Sequence, residues 1–146
     1  MKNYELPSLY LRMGIGASYL WEVADRFGII GKHGSPHVGW GDWKHFLVAT
    51  AEVINFIPQT WVPFFAALAT FGEFTFGLLL IIGFLTRYAA LGSGVLALCF
   101  ALSMTISSGI DSPLGYSVFT LSAASFLLYT LPSYKWSLDS LFIDQS

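Results

Sequence analysis

Residues 70–87 read TFGEFTFGLLLIIGFLTR. The run is long, greasy and rich in Phe, Leu and Gly, and a single carboxylate, Glu73, sits inside it. Extended back to Pro63, it forms a segment of about 20 mostly apolar residues, the length a membrane-spanning helix needs. A charge at mid-membrane costs at least ~2.5 to 3.5 kcal/mol, so it must be paired, neutralised or near water. The spacing of its neighbours says which way it points. Ala66, Thr70, Glu73 and Gly77 recur at intervals of four, three and four, which places them on one helix face. Small residues above and below Glu73 let another helix approach closely. Phe71, Phe74 and Leu78 fall on the opposite side. Glu73 is therefore expected to face into a bundle of helices.

The rest of the chain has the same character. Of 146 residues, 55% are hydrophobic and only 11% charged, against about a quarter charged in an ordinary soluble domain. The mean hydropathy is +0.63. This composition is that of an integral membrane protein in contact with the lipid bilayer. A net charge of -2 offers no basic face for nucleic acid. With one cysteine, Cys99, a disulfide framework, a Cys-x-x-Cys redox pair and a thiolate zinc cage within one chain are excluded.

Four segments have the length and character of spans: about 8–27, 63–85, 88–110 and 114–131. Arg12 interrupts the first early and no small-x-small cleavage pattern follows, so it reads as a retained span and not a signal peptide. Short turns around Thr86–Arg87 and Gly109–Pro113 make spans two, three and four antiparallel neighbours. The fold class expected is an all-α integral membrane protein, an antiparallel four-helix transmembrane bundle forming a single domain over 1–146. The first loop is different. It carries all three histidines, and from Asp42, a plausible N-cap, an amphipathic helix over about 43–56 puts Trp43, Phe46, Leu47, Thr50, Ile54 and Ile57 on one face. Such a helix lies flat at the interface or folds over the bundle end. Trp40, Trp43 and Trp61 suit one membrane interface, Tyr134 and Trp136 the other. Lys2, Arg87 and Lys135 share one side; Arg26, Lys32 and Lys44 share the other. The count is near a tie. The reading taken is a multi-pass protein of the cell membrane with both termini cytoplasmic, since long loops cross regardless of charge.

On a wheel of 100° per residue, Ser8, Arg12, Gly16, Tyr19, Glu22 and Arg26 fall within roughly 120° of the first span. This polar stripe matches the one around Glu73. Arg12 and Glu22 are the candidate partners: an Arg–Glu pair keeps Glu73 ionised, whereas facing Glu22 favours a shared proton. Three uses of such a group stand side by side: a register-fixing ion pair, a ligand pocket and a proton path. Arg12, Tyr19, Glu22 and Glu73 are the candidate pocket residues. Hydroxyls in later spans (Ser103, Thr105, Ser107, Thr120 and Ser125) are expected to bond back to their own helix or across a pair. No metal site is expected, because Gly34 and Pro36 oppose the helix that His33 and His37 would need to share a ligand face.

Three stretches resemble a known family. LYLRMGIGASYLWEVADRFG at the N-terminus, GEFTFGLLLIIGFLTRYAAL in the middle, and PLGYS with KWSLD near the end look like the DoxX/DoxD family. What the resemblance implies is a four-helix membrane protein akin to the DoxD-type membrane subunit of thiosulfate:quinone oxidoreductase, which passes electrons from thiosulfate to quinone. The chain has no haem-ligand pair in a span, no cysteine cluster and no dinucleotide fingerprint, so for a redox role electrons are expected to come from a soluble or membrane partner subunit or directly from substrate. No covalently bound cofactor is expected; quinone is the ligand the resemblance suggests, with Arg12, Tyr19, Glu22 and Glu73 able to offer hydrogen bonds and protons. The alternative is a non-enzymatic membrane protein that binds a lipid or small molecule, or assists assembly.

Overall fold

The computed structural model describes residues 3–143, and every regular element among them is helical. The helices are α1 (Glu5–Arg26), α2 (Trp43–Val53), α3 (Val62–Ile82), α4 (Thr86–Ser108), α5 (Asp111–Gly115), α6 (Val118–Thr130) and α7 (Leu138–Ile143), with a single 3-10 turn (Gln59–Trp61) before α3.

Their ends follow local chemistry. In α1, Glu5 in the first turn and Arg26 in the last both complement the helix dipole. In α2, the Asp42 side chain accepts the His45 backbone N–H at 2.9 Å, the expected N-cap. Proline lies in the first turn of α3, where its missing N–H costs nothing. That helix stops at Ile82 because Gly83 turns left-handed, at φ 73°.

The start of α4 is unusual. Leu85 is itself left-handed (φ 49°) and supplies no side-chain cap. Instead Asp139, from α7, accepts the Leu85 and Thr86 N–H groups at 2.8 Å each, one on each carboxylate oxygen. The Asp139 N–H in turn donates to the Gly83 carbonyl at 2.9 Å. The tail residues KWSLD are thus folded onto the turn GFLTR, which explains physically why both stretches stand out.

Helices α1, α3, α4 and α6 pack into a closed group: α1 against α3, α3 against α4, α4 against α6, and α6 back against α1. Ile15, Tyr19, Leu80, Ala89, Ala90, Leu128 and Tyr134 form the apolar core. Small buried residues of α4, among them Ser93, Gly94, Ala97 and Ala101, permit its close packing. At one end α2 lies across α3 and α4, so the amphipathic helix folds over the bundle. The two ends are chemically distinct. Glu5 pairs with Lys135 (3.3 Å) and Tyr4 with Ser133 (3.1 Å) at the end that holds the start of α1 and the segment before α7. The segment 28–61 covers the other. Lys2 lies outside the described residues.

The span expectations hold unevenly. The stretches Gln59–Ile82 and Thr86–Ser108 are long and apolar enough to cross a membrane, each with a mean hydropathy of 2.0. At 22 residues α1 is as long, yet it carries five charged side chains: Glu5, Arg12, Glu22, Asp25 and Arg26. The fourth expected span, 114–131, is split. Ser117 is left-handed at φ 57°, which separates the short α5 from α6. The 13 residues of α6 reach about 20 Å, short of the ~30 Å hydrocarbon core.

Candidate functional site

Glu73 faces inward as its spacing predicts. The buried residues of α3 include Ala66, Thr70, Glu73 and Gly77, and Phe71, Phe74 and Leu78 are exposed on the other side. Glu73 is 3% exposed, and its partner is Arg26, also 3% exposed. Arg26 Nη1 donates as well to the Thr70 hydroxyl at 2.8 Å, and that hydroxyl donates to the Ala66 carbonyl at 2.8 Å. Over the guanidinium lie two aromatic rings, Phe46 with its centroid 4.0 Å away and Trp40 at 5.2 Å. These are cation–π contacts in a desolvated setting, where they are strongest. The charge pair is therefore held between α1 and α3 and roofed by α2 and its preceding loop.

The crossing of α1 and α3 creates this arrangement. A Cβ on Gly16 would meet the Gly77 carbonyl at 2.8 Å, and one on Gly77 would meet the Gly16 carbonyl at 3.1 Å. The two backbones can touch only because both positions are glycine. From that crossing the helices run antiparallel, which brings Arg26 level with Thr70 and Glu73 and brings Arg12 level with the C-terminal end of α3.

Arg12 is accordingly not the partner of Glu73. It is fully buried and grips main-chain oxygens: Nε donates to Leu80 (3.0 Å), Nη1 to Lys135 (3.1 Å) and Trp136 (3.3 Å), and Nη2 to Ile81 (3.4 Å) and Trp136 (3.3 Å). The last carbonyls of a helix lack intrahelical partners and carry the negative end of its dipole, so a cation is well placed there. Arg12 fastens the end of α3 and the tail to α1.

Tyr19 is 2% exposed and serves as a staple. Its hydroxyl donates to the Ser93 carbonyl (3.0 Å) and accepts from the Ser93 hydroxyl (3.1 Å), which also contacts Ser125 Oγ (2.8 Å). Ser125 ends the chain on the Leu121 carbonyl at 2.9 Å. This network joins α1, α4 and α6 and closes on backbone. Thr105 and Ser107 bond back to Ala101 and Met104 as expected.

Glu22 is half-buried, one turn before Arg26, and has no hydrogen bond or ion pair of its own. It lies within electrostatic range of Arg26, Asp25 and Glu73. It does not share a direct contact with Glu73; Arg26 stands in that role.

Sequence reasoning missed three contributors. Arg26 was on the polar stripe but its level along α3 was not visible. Asp25, 4% exposed, accepts the backbone N–H groups of Gly39 (2.9 Å), Trp40 (2.9 Å) and Gly41 (3.1 Å) and so fixes the roof to the end of α1. Phe46 was placed on the apolar face of its helix, and the signal that it would cover a cation lay in no single residue. Beside them, hydrogen bonds from the His45 backbone and ring hold the exposed Asp42 carboxyl below the usual carboxylate range. Among the described residues no group of three His, Cys, Asp or Glu is placed to hold a metal.

Comparison with known proteins adds a family. The family described as TQO small subunit DoxD matches residues 32–146, most of the chain. The chain belongs to the DoxD family. No curated protein and no solved structure matches it. In this DoxD chain the matched stretch takes in Trp40, Phe46, Thr70, Glu73 and Asp139. Arg12, Tyr19, Glu22 and Arg26 lie before it.

Proposed function

We propose that this DoxD chain is a membrane subunit of a quinone-linked oxidoreductase complex of the thiosulfate:quinone oxidoreductase kind, in which α1, α3, α4 and the α5–α6 segment together cross the cell membrane and both termini are cytoplasmic. The observation that carries the reading is a buried Arg26–Glu73 pair, with the half-buried Glu22 beside it, in a chain of this family. Reduction of a quinone to a quinol takes two electrons and two protons. The electrons come from a partner subunit, since this chain has no carrier motif of its own. The protons need ionisable groups inside the apolar region, and Glu22 and Glu73 are the carboxyls available. Arg26 tunes Glu73 by charge and Thr70 holds the guanidinium in place. Tyr19 supports the same wall of the site. Arg12, bonded to carbonyls at the far end of α3, belongs to the scaffold.

In the fold described, Arg26 Nη1 reaches both Glu73 and Thr70, Arg26 Nε has no partner among the described residues, and Trp40 and Phe46 cover the pair, so a quinone head reaches it only when that roof moves. The same cover favours the second reading, a non-enzymatic ligand-binding or assembly protein. The test is thiosulfate-dependent reduction of a short-chain quinone by the chain purified with its co-expressed partner, followed by absorbance. The oxidoreductase reading expects reduction that falls at least about tenfold in Glu73→Gln. Absence of any reduction by the intact complex overturns it in favour of the second reading.

A further inference from the structure

The roof over the ion pair is built from residues 28–42 and α2, and it is attached at two places of different chemistry. The first is Asp25, whose carboxylate takes the three consecutive N–H groups of Gly39, Trp40 and Gly41. This fixes the Trp40 ring over Arg26, where it also packs edge-on against Phe46 with centroids 5.1 Å apart. The second is a histidine pair. The rings of His33 and His45 are stacked with centroids 3.5 Å apart and planes within 6°. One belongs to the loop and the other to α2, so the stack ties the loop to the helix.

Hydrogen bonding assigns the tautomers. His33 Nδ1 is 2.9 Å from the Trp40 carbonyl, which can only accept, so that nitrogen carries a proton. His45 Nδ1 is 2.8 and 2.9 Å from the Asp42 carboxylate oxygens and carries one too. In each ring Nε2 is the nitrogen left to take up a proton.

We infer that residues 28–42 are a proton-sensitive cap over the Arg26–Glu73 pair, latched by the His33–His45 stack and released when both imidazoles are protonated. One charged ring is compensated, because Asp42 lies against His45. Two like charges face to face are not. None of the other charges around the latch forms a hydrogen bond or ion pair with either imidazole. On α1, Asp25 is committed to three N–H groups, Arg26 is a cation and Glu22 lies beside it. On α3 the only charged residue, Glu73, is taken by Arg26. The sole charge of α4, Arg87, is at its far end. Lys32 and Lys44, next in sequence to the two histidines, add positive charge, as protonated His37 would. Glu52 is a turn or more further along α2, and Asp111 opens α5. Acidification therefore pushes the rings apart, and His33, still bonded through Nδ1–H to the Trp40 carbonyl, draws Trp40 away from Arg26 against the Asp25 hydrogen bonds. The cap then controls when water or a ligand meets the buried pair. It stands on the loop geometry alone and holds whichever reaction the pair serves.

Hydrogen exchange of the Gly39, Trp40 and Gly41 amides tests this, read by mass spectrometry on the full chain in detergent and corrected for intrinsic pH dependence. Protection is expected to fall by about tenfold or more between roughly pH 7.5 and pH 5 in the wild type. In His33→Phe, which keeps a flat ring and removes the charge, protection should persist at both values. Asp42→Asn preserves an N-cap residue and removes the carboxylate that favours a charged ring beside it, so loss should begin at lower pH than in the wild type. Unchanged wild-type protection overturns the proposal. So does parallel loss in His33→Phe, which would place the sensitivity outside the stack. An Asp42→Asn profile identical to the wild type would do the same.

Discussion

Arg26 and Glu73 are each nearly inaccessible, and each has a charge that only the other cancels. Glu73→Gln leaves a buried guanidinium without its counter-charge and is expected to cost about 3–5 kcal/mol in reversible unfolding in mixed detergent. Arg26→Met with Glu73→Met should recover much of that loss, whereas Arg12→Met with Glu73→Met should not, because Arg12 serves carbonyls and not the carboxylate. A second residue-scale expectation concerns acid. The Asp42 carboxyl titrates lower when folded than when unfolded, so its contribution is complete above the unfolded carboxylate value and disappears as pH falls through the folded one. Asp42→Ala should therefore be less stable than the wild type at neutral pH, with the gap closing below about pH 4, as paired unfolding curves across pH would reveal. That Glu73 faces inward was legible from the residues themselves, since a small-residue stripe has only one periodic reading. Its partner was not. Arg12, Glu22 and Arg26 share a stripe, and a wheel records angle while discarding height.

Height is an element-scale property, and the crossing at Gly16 and Gly77 decides it. Gly16→Ala puts a methyl 2.8 Å from the Gly77 carbonyl and 2.6 Å from Ile81 Cγ1. The cost should be about 1–3 kcal/mol by overpacking, and the resulting shift should weaken the Arg26–Glu73 pair with it. Thermal unfolding of Gly16→Ala alone and combined with Glu73→Gln would show sub-additive losses, since both act on the same contact. Asp139→Ala strips two N–H acceptors from the first turn of α4 and should cost about 1–2 kcal/mol, read in the same assay. The long helices were legible from apolar length and from their turn residues. The break between α5 and α6 was not, because a serine gives no sign by its residue type that position 117 turns left-handed.

At the scale of the molecule, the start of α1 and the segment before α7 share one end and the histidine-bearing loop occupies the other. If the bundle crosses the membrane as proposed, cysteines placed at Ser35 and Ser140 in a Cys99→Ala background should react with an impermeant thiol reagent from opposite sides of sealed vesicles. Labelling of both from one side would overturn the four-span topology. The composition made a membrane class legible at once, and the family resemblance agreed with the match over residues 32–146. The functional detail rests on contacts between segments far apart in the chain, which no local pattern encodes.

That separation has a consequence for how the protein is made. The two arginines of α1 are synthesised first, yet their partners arrive last: Thr70 and Glu73 for Arg26, then Leu80, Ile81, Lys135 and Trp136 for Arg12. If α1 crosses the membrane as proposed, each arginine left unpaired in lipid costs ~2.5 to 3.5 kcal/mol. Helix α1 must then wait, at the interface or beside the insertion machinery, until Trp136 has emerged. Nascent chains halted before residue 135 should leave α1 open to protease, and chains reaching past Trp136 should seal it.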